Sequence, residues 1–167
     1  CPGALDQPGE WTLGADGTLR YLPMPGESLE KTQFVAPELP HLLEFVGASA
    51  EDRVEQIELR GLGFRYSAYV LPAEGESSNQ AASKIPAAVM LDYAVEITLD
   101  DCQVAHTGNY GAWFRDGCSK CTVRHCEFTD LGAGGVRIGI CELDRAQEPA
   151  HATGEITVDN CIIHDGG

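Results

Sequence analysis

The chain contains no apolar run approaching the roughly 20 residues needed to cross a bilayer, so no membrane span is expected. Basic residues are also scarce: 11 Lys+Arg stand against 26 Asp+Glu, for a net charge of -15. A field of that sign repels phosphate backbones and anionic lipid, which excludes nucleic acid as an expected partner. It disfavours a polyanionic sugar as well and fits neutral sugars better. There is no initiator Met, no basic n-region and no apolar h-region, so any targeting signal is expected outside these residues. Cys1 reads alternatively as the lipid-bearing first residue of a mature lipoprotein.

What is present is a repeat. The composition, 43% apolar and 22% charged, is that of an ordered chain. Four segments align without gaps: IELRGLGFRY (57–66), ITLDDCQVAH (97–106), CTVRHCEFTD (121–130) and ITVDNCIIHD (156–165). Their first, third, sixth and eighth places are apolar or Cys, for example Ile97, Leu99, Cys102 and Val104. Spacing of two within each pair is that of a strand. The step of three between pairs marks a polar bend, at Asp100-Asp101, Arg124-His125 and Asp159-Asn160. HTGNYGAWF (106–114) further matches DLGAGGVRI (130–138), with Gly108 on Gly132 and Gly111 on Gly135. That match adds a third inward strand through Ala112 and Phe114, Val136 and Ile138.

Three short strands per 24-residue period (97 to 121), with no helical pattern, describe an all-β fold: a right-handed parallel β-helix, a solenoid. Residues 1–46 read as an N-terminal hairpin, EWTL and TLRYLP around Gly14-Ala15-Asp16-Gly17, and a Pro-rich connection. Residues 47–167 read as the coils, with loop insertions near 72–86 and 141–154. His164-Asp165-Gly166-Gly167 falls within a repeat, so the solenoid is expected to be truncated at both ends.

Cys102, Cys126 and Cys161 share one inward place, so the register predicts a buried ladder of small apolar side chains rather than a disulfide framework. Cys118 and Cys121 have C-x-x-C spacing, but Cys121 occupies an inward place, and no metal or other cofactor is expected. A Cys118–Cys141 bridge stays open as an alternative.

The tenth place holds Tyr66, His106, Asp130 and Asp165. Adjacent coils lie roughly 4.8 Å apart, which makes Asp130 and Asp165 neighbours with His106 one coil further. Two such carboxylates separate their pKa values and supply acid and base for glycoside hydrolysis. Turn formation by Asp before Gly is the alternative reading. Outward places on the third strand hold Tyr110, Trp113 and Arg137, with Trp113 and Arg137 in one register. A Trp face suits a sugar ring and an Arg supplies fixed donors.

HTGNYGAWF, CEFTDLGAGGVRIG and CIIHDGG, with PGEWTLGADGTLRYLP upstream, resemble the pectate-lyase-like β-helix glycoside hydrolases, most closely glycoside hydrolase family 141. The resemblance implies a secreted or periplasmic enzyme hydrolysing plant-type polysaccharide, in a family with fucosidase and xylanase activities. It places the catalytic carboxylates at Asp130 and Asp165. Thr129 departs from the family, which often has His there. With His106 as a tuning residue and Tyr110, Trp113, Arg137 and His164 against a polysaccharide or oligosaccharide substrate, a glycoside hydrolase is the expected function. The competing readings are a polysaccharide lyase, with Arg137 neutralising a uronate, and a non-catalytic carbohydrate-binding or surface β-helix.

Overall fold

The computed structural model describes residues 5–14, 16–76 and 82–167. Cys1, Ala15 of the hairpin loop and Ser77–Gln80 of the first insertion lie outside the described residues. The chain divides into two compact units, Cys1–Val35 and Ala36–Gly167.

In the first unit, β1 (Trp11–Leu13) pairs antiparallel with β2 (Leu19–Tyr21), with Trp11 opposite Tyr21 and Leu13 opposite Leu19. This is the hairpin read from EWTL and TLRYLP. Asp16 accepts the Thr18 amide at 3.1 Å and Gly17 takes φ 78°, so the loop closes by an Asp side chain and a left-handed residue.

The second unit is mostly strand, and every strand pairing in it is parallel. The first coil runs through β3 (Leu43–Val46), β4 (Val54–Glu55), β5 (Glu58–Arg60) and β6 (Gly63–Ser67). The second runs through β7 (Ala87–Asp92), β8 (Ala94–Val95), β9 (Thr98–Asp100) and β10 (Gln103–Thr107). The third uses β11 (Tyr110–Asp116), β12 (Thr122–Arg124) and β13 (Glu127–Leu131). The fourth uses β14 (Val136–Ile138), a short helix α1 (Leu143–Ala146), β15 (Thr157–Asp159) and β16 (Ile162–Gly166). Equivalent strands stack into three sheets of four: β3-β7-β11-β14, β5-β9-β12-β15 and β6-β10-β13-β16.

A fourth, narrow face corrects the three-strand reading. The pair β4-β8 continues through single bridges at Ser119 and Gly154. It is only one or two residues wide, too short to show periodicity. β3 packs in the coil sheet rather than with the connection, and the compact units divide at Val35/Ala36.

The register is the one the repeat predicts. Leu59, Leu99, Val123 and Val158 form one column; Phe64, Val104, Phe128 and Ile163 form another. In the second and third coils all eight repeat positions, from Ile97 to Val104 and from Cys121 to Phe128, are buried. In the outer coils Ile57, Leu62, Val158 and Ile163 keep 36–49% exposure, because each has an apolar neighbour on one side only. Cys102 and Cys126 are buried and stack, with the Cys102 amide 3.4 Å from the Cys126 thiol, while Cys161 on the fourth coil is half-buried.

The coil turns its corners on single left-handed residues. Gln56, Glu96, Lys120 and Glu155 make one corner, and Gly61, Asp101, His125 and Asn160 a second, with φ between 49° and 68°. The left-handed conformation costs a non-glycine residue about 1–2 kcal/mol. The corner amides of Gly61, Asp101 and His125 each donate to a carbonyl of the next coil, which offsets that cost. Gly132 serves another need: a Cβ there would lie 2.4 Å from the Gly108 carbonyl oxygen, so the aligned glycines allow successive turns to touch.

Candidate functional site

Two outward surfaces hold the chemistry-bearing residues. The first is the outer face of β6, β10, β13 and β16. Tyr66, His106, Asp130 and Asp165 stand at its edge, all left-handed with φ from 50° to 67°, so the tenth place of the repeat is the third corner of the coil. Tyr66 and His106 stack with ring centroids 5.1 Å apart. His106 Nδ1 lies 2.7 Å from Asp130 Oδ2, and one coil further His164 Nδ1 lies 2.8 Å from Asp165 Oδ2. Both carboxylates face water, with side-chain exposures of 71% and 76%.

Alongside the corner runs a polar chain. Arg65 donates to Gln103, and Gln103 donates to Glu127 at 2.5 Å. Glu127 faces His164 Nε2 at 3.5 Å, and Thr129 hydroxyl lies 3.4 Å from His164 Nδ1. Asp165 first, then Glu127, raises the His164 pKa. Gln103 and His164 lower that of Glu127. Glu127 was not singled out from the sequence. Its position beside His164 follows from the pairing of Thr129 with His164 on neighbouring coils.

The second surface is the outer face of β3, β7, β11 and β14. Ala112 and Phe114 point inward and are fully buried, which turns Trp113 outward by strand alternation. Glu44, Met90, Trp113 and Arg137 share one outward column. The Arg137 guanidinium lies 3.5 Å from the Trp113 ring centroid and 5.6 Å from that of Tyr110. Tyr110, Trp113 and Arg137 therefore form one cation–π cluster. Arg137 also donates to the Ile85 carbonyl at 3.3 Å, and the Trp113 indole donates to the Gly139 carbonyl at 2.8 Å. Ile85 belongs to the first insertion, and Cys141 of the second takes another Arg137 donor on its sulfur at 3.3 Å, so both insertions read from the sequence reach this face.

A cleft of about 170 Å³ opens there, lined by Ser83, Trp113, Arg115, Asp116, Arg137, Cys141, Glu142 and Arg145 among others. Two buried carboxylates stand at its side. Asp92 receives Arg115 through Nε at 2.8 Å and Nη2 at 2.5 Å. Asp116 receives Arg145 at 2.6 Å and the Tyr93 hydroxyl at 3.4 Å, with His151 Nδ1 at 2.9 Å. Arg145 and His151 come from the second insertion, which Asp116 fastens to the third coil. Sequence reading missed Asp92, Arg115, Asp116, Arg145 and His151. The one available signal was an Asp closing the first strand of two successive coils.

The two surfaces carry different parts of the expected site. Asp130, Asp165, His106 and His164 share the first; Trp113, Arg137 and Tyr110 share the second. Among the described residues no hydrogen bond or ion pair joins Asp130 or Asp165 to Trp113 or Arg137.

Among the described residues the cysteines are unbridged. Cys118 is a buried free thiol and Cys141 an exposed one, which corrects the Cys118–Cys141 alternative. The Cys118 thiol lies 3.2 Å from the Leu91 carbonyl, and burial pushes its pKa up to about 12. Burial raises Cys121 as well.

Residues 87–167 match the family model described as a right handed beta helix region. No curated protein and no solved structure matches the chain. No helix among the described residues is long and apolar enough to cross a membrane.

Proposed function

We propose that the chain is part of a carbohydrate-active β-helix solenoid, a secreted or periplasmic glycoside hydrolase acting on plant-type polysaccharide. Asp130 and Asp165 share the acid and the nucleophile or base roles, His106 tunes Asp130, and His164 holds Asp165. The observation that carries this reading is that the tenth-place Asp on each of two neighbouring coils meets an imidazole, Asp130 that of His106 one coil back at 2.7 Å and Asp165 that of the adjacent His164 at 2.8 Å. A one-coil step of roughly 4.8 Å lies close to the roughly 5–5.5 Å between carboxyl groups of retaining glycosidases. Trp113 and Arg137 bind glycan on the adjoining face.

A second reading, a carbohydrate-binding β-helix without chemistry, is favoured by the exposure of both carboxylates and their left-handed backbone. An Asp at such a corner has a structural use whether or not it reacts. Asn tolerates the left-handed region as Asp does, so Asp130→Asn and Asp165→Asn remove charge while keeping the corner. With reducing-end release from neutral plant polysaccharides as the assay, each variant should lose at least about a hundredfold in turnover. The melting temperature should not move. Full turnover in both variants would eliminate the hydrolase assignment of this pair.

A further inference from the structure

The two tenth-place carboxylates stand beside imidazoles in different surroundings. His164 Nδ1 lies 2.8 Å from Asp165 Oδ2, and its Nε2 lies 3.5 Å from Glu127 Oε1. A ring whose two nitrogens both face carboxylates must donate from both, and only the imidazolium does so. Glu127 is itself anchored from behind: Gln103 donates to its other oxygen at 2.5 Å, and Arg65 donates to Gln103. Arg65, Gln103, Glu127 and His164 thus form one hydrogen-bonded chain from the first coil to the fourth, and it ends on Asp165.

His106 is held differently. Its Nδ1 meets Asp130 at 2.7 Å and its ring lies stacked against Tyr66, and among the described residues no carboxylate meets its Nε2. A neutral tautomer with its proton on Nδ1 satisfies that contact. Asp165 therefore faces a cation that the neighbouring coil fixes in place, and Asp130 has no cation fixed beside it in this way. Of two carboxylates one coil apart, the one beside the fixed cation keeps its charge and the other takes the proton.

We propose that Glu127 is a positioning residue: it holds His164 as the imidazolium on Asp165, which makes Asp165 the nucleophile and leaves Asp130 as the acid. This assignment rests on the hydrolase reading of the pair and gives each member its role. Asp130 gives its proton to the glycosidic oxygen as the C1–O bond breaks, and the electron pair of that bond stays on the leaving oxygen. Asp165 places an electron pair on C1 and forms an ester. Water then attacks C1, its proton goes to Asp130, and Asp165 leaves as a carboxylate. The groups that face His164 are Asp165 on its own strand and Glu127 on β13, with the Thr129 hydroxyl at 3.4 Å; Asp165 first, then Glu127, raises its pKa.

A dinitrophenyl leaving group departs without help from an acid, so it separates the two roles. Release of dinitrophenolate in the first turnover is measured with 2,4-dinitrophenyl xyloside and 2,4-dinitrophenyl fucoside, beside reducing-end release from neutral plant polysaccharide. Asp130→Asn should keep the dinitrophenyl first turnover within about tenfold of the parent while losing at least about a hundredfold on polysaccharide. Asp165→Asn should lose at least about a hundredfold on both. In the parent, loss of the His164 proton sets the basic limb of the dinitrophenyl pH profile, and Glu127→Gln should move that limb to lower pH. A residue that served the fold alone would leave the limb where it was, so an unmoved limb overturns the part given to Glu127. The reverse pattern for the two Asp variants, or equal losses on both kinds of substrate, overturns the assignment and leaves the hydrolase reading in place. A parent without turnover of any of these substrates, or full turnover in both Asp variants, removes the hydrolase reading and the assignment with it.

Discussion

Asp92 and Asp116 are register partners on β7 and β11, and both are buried although each carries a carboxylate. Two like charges on one column survive together only because a guanidinium meets each of them, Arg115 on Asp92 and Arg145 on Asp116, where His151 also lies within hydrogen-bond reach. Arg115→Met strands Asp92 and should cost about 2 kcal/mol, the lower side of a broken buried pair because Arg115 is partly solvated. Adding Asp92→Asn should restore most of that loss. Chemical denaturation of the two singles and the double gives the coupling energy, and additive effects would deny that the pair acts as a unit.

Gly132→Ala should destabilise by about 2 kcal/mol, in the range of core overpacking. Its new Cβ meets the backbone of Gly108, which cannot swing aside as a side chain would. Gly154→Ala, with nothing within 4 Å of the added carbon, should stay within about 0.5 kcal/mol of the parent. Equal melting of the two variants would mean that the turns are not in contact.

Asp100 is buried between Arg124 at 3.1 Å and His125 at 3.0 Å. His125 first, then Arg124, holds its pKa down at about 2, against 3.8 for a free Asp. A folded-state value below the unfolded one stabilises the fold above about pH 4 and ceases to do so as pH falls toward 2. Asp100→Asn should therefore flatten the decline in stability between pH 4 and 2. An unchanged acid limb in that variant would assign the decline to other carboxylates.

His164 behaves in the opposite sense. Asp165 and Glu127 raise its pKa above the ordinary 6.5, so its contribution to stability is full below that pH and fades as pH rises through the raised value. Following the imidazole proton by NMR, Asp165→Asn should lower the titration midpoint most and Glu127→Gln less. A midpoint indifferent to both would mean that His164 does not bridge them.

The inward columns were legible because their physics is local: spacing of two, one step at a bend, and a need for apolar contact that every coil repeats. Ile97, Leu99, Cys102 and Val104 could be placed over Cys121, Val123, Cys126 and Phe128 from the residues alone, and the strand pairs agree. The shared register of Trp113 and Arg137 was legible for the same reason. The fourth face was not, since Ser119 and Gly154 contribute one bridge each and carry no pattern.

Asp130, His106 and Asp165 were legible as a column at a corner; their hydrogen-bond partners depend on rotamers that spacing does not set. The cleft was hidden for a more specific reason. The pairing of β7 with β11 shifts between Phe114 and Asp116, so Leu91 faces Phe114 while Asp92 faces Asp116, and Arg115 is an extra residue in its strand. Gap-free alignment cannot set Asp92 beside Asp116 across such a bulge. Arg145 and His151 lie 29 and 35 residues beyond Asp116 in an insertion without repeat structure. The sequence by itself determined the coils, their corners and the two columns of candidate residues, because a periodic backbone reads out periodic residues. Only the tertiary structure decided which columns share a face and which charges meet, because a bulge and an inserted segment act through contacts that have no period.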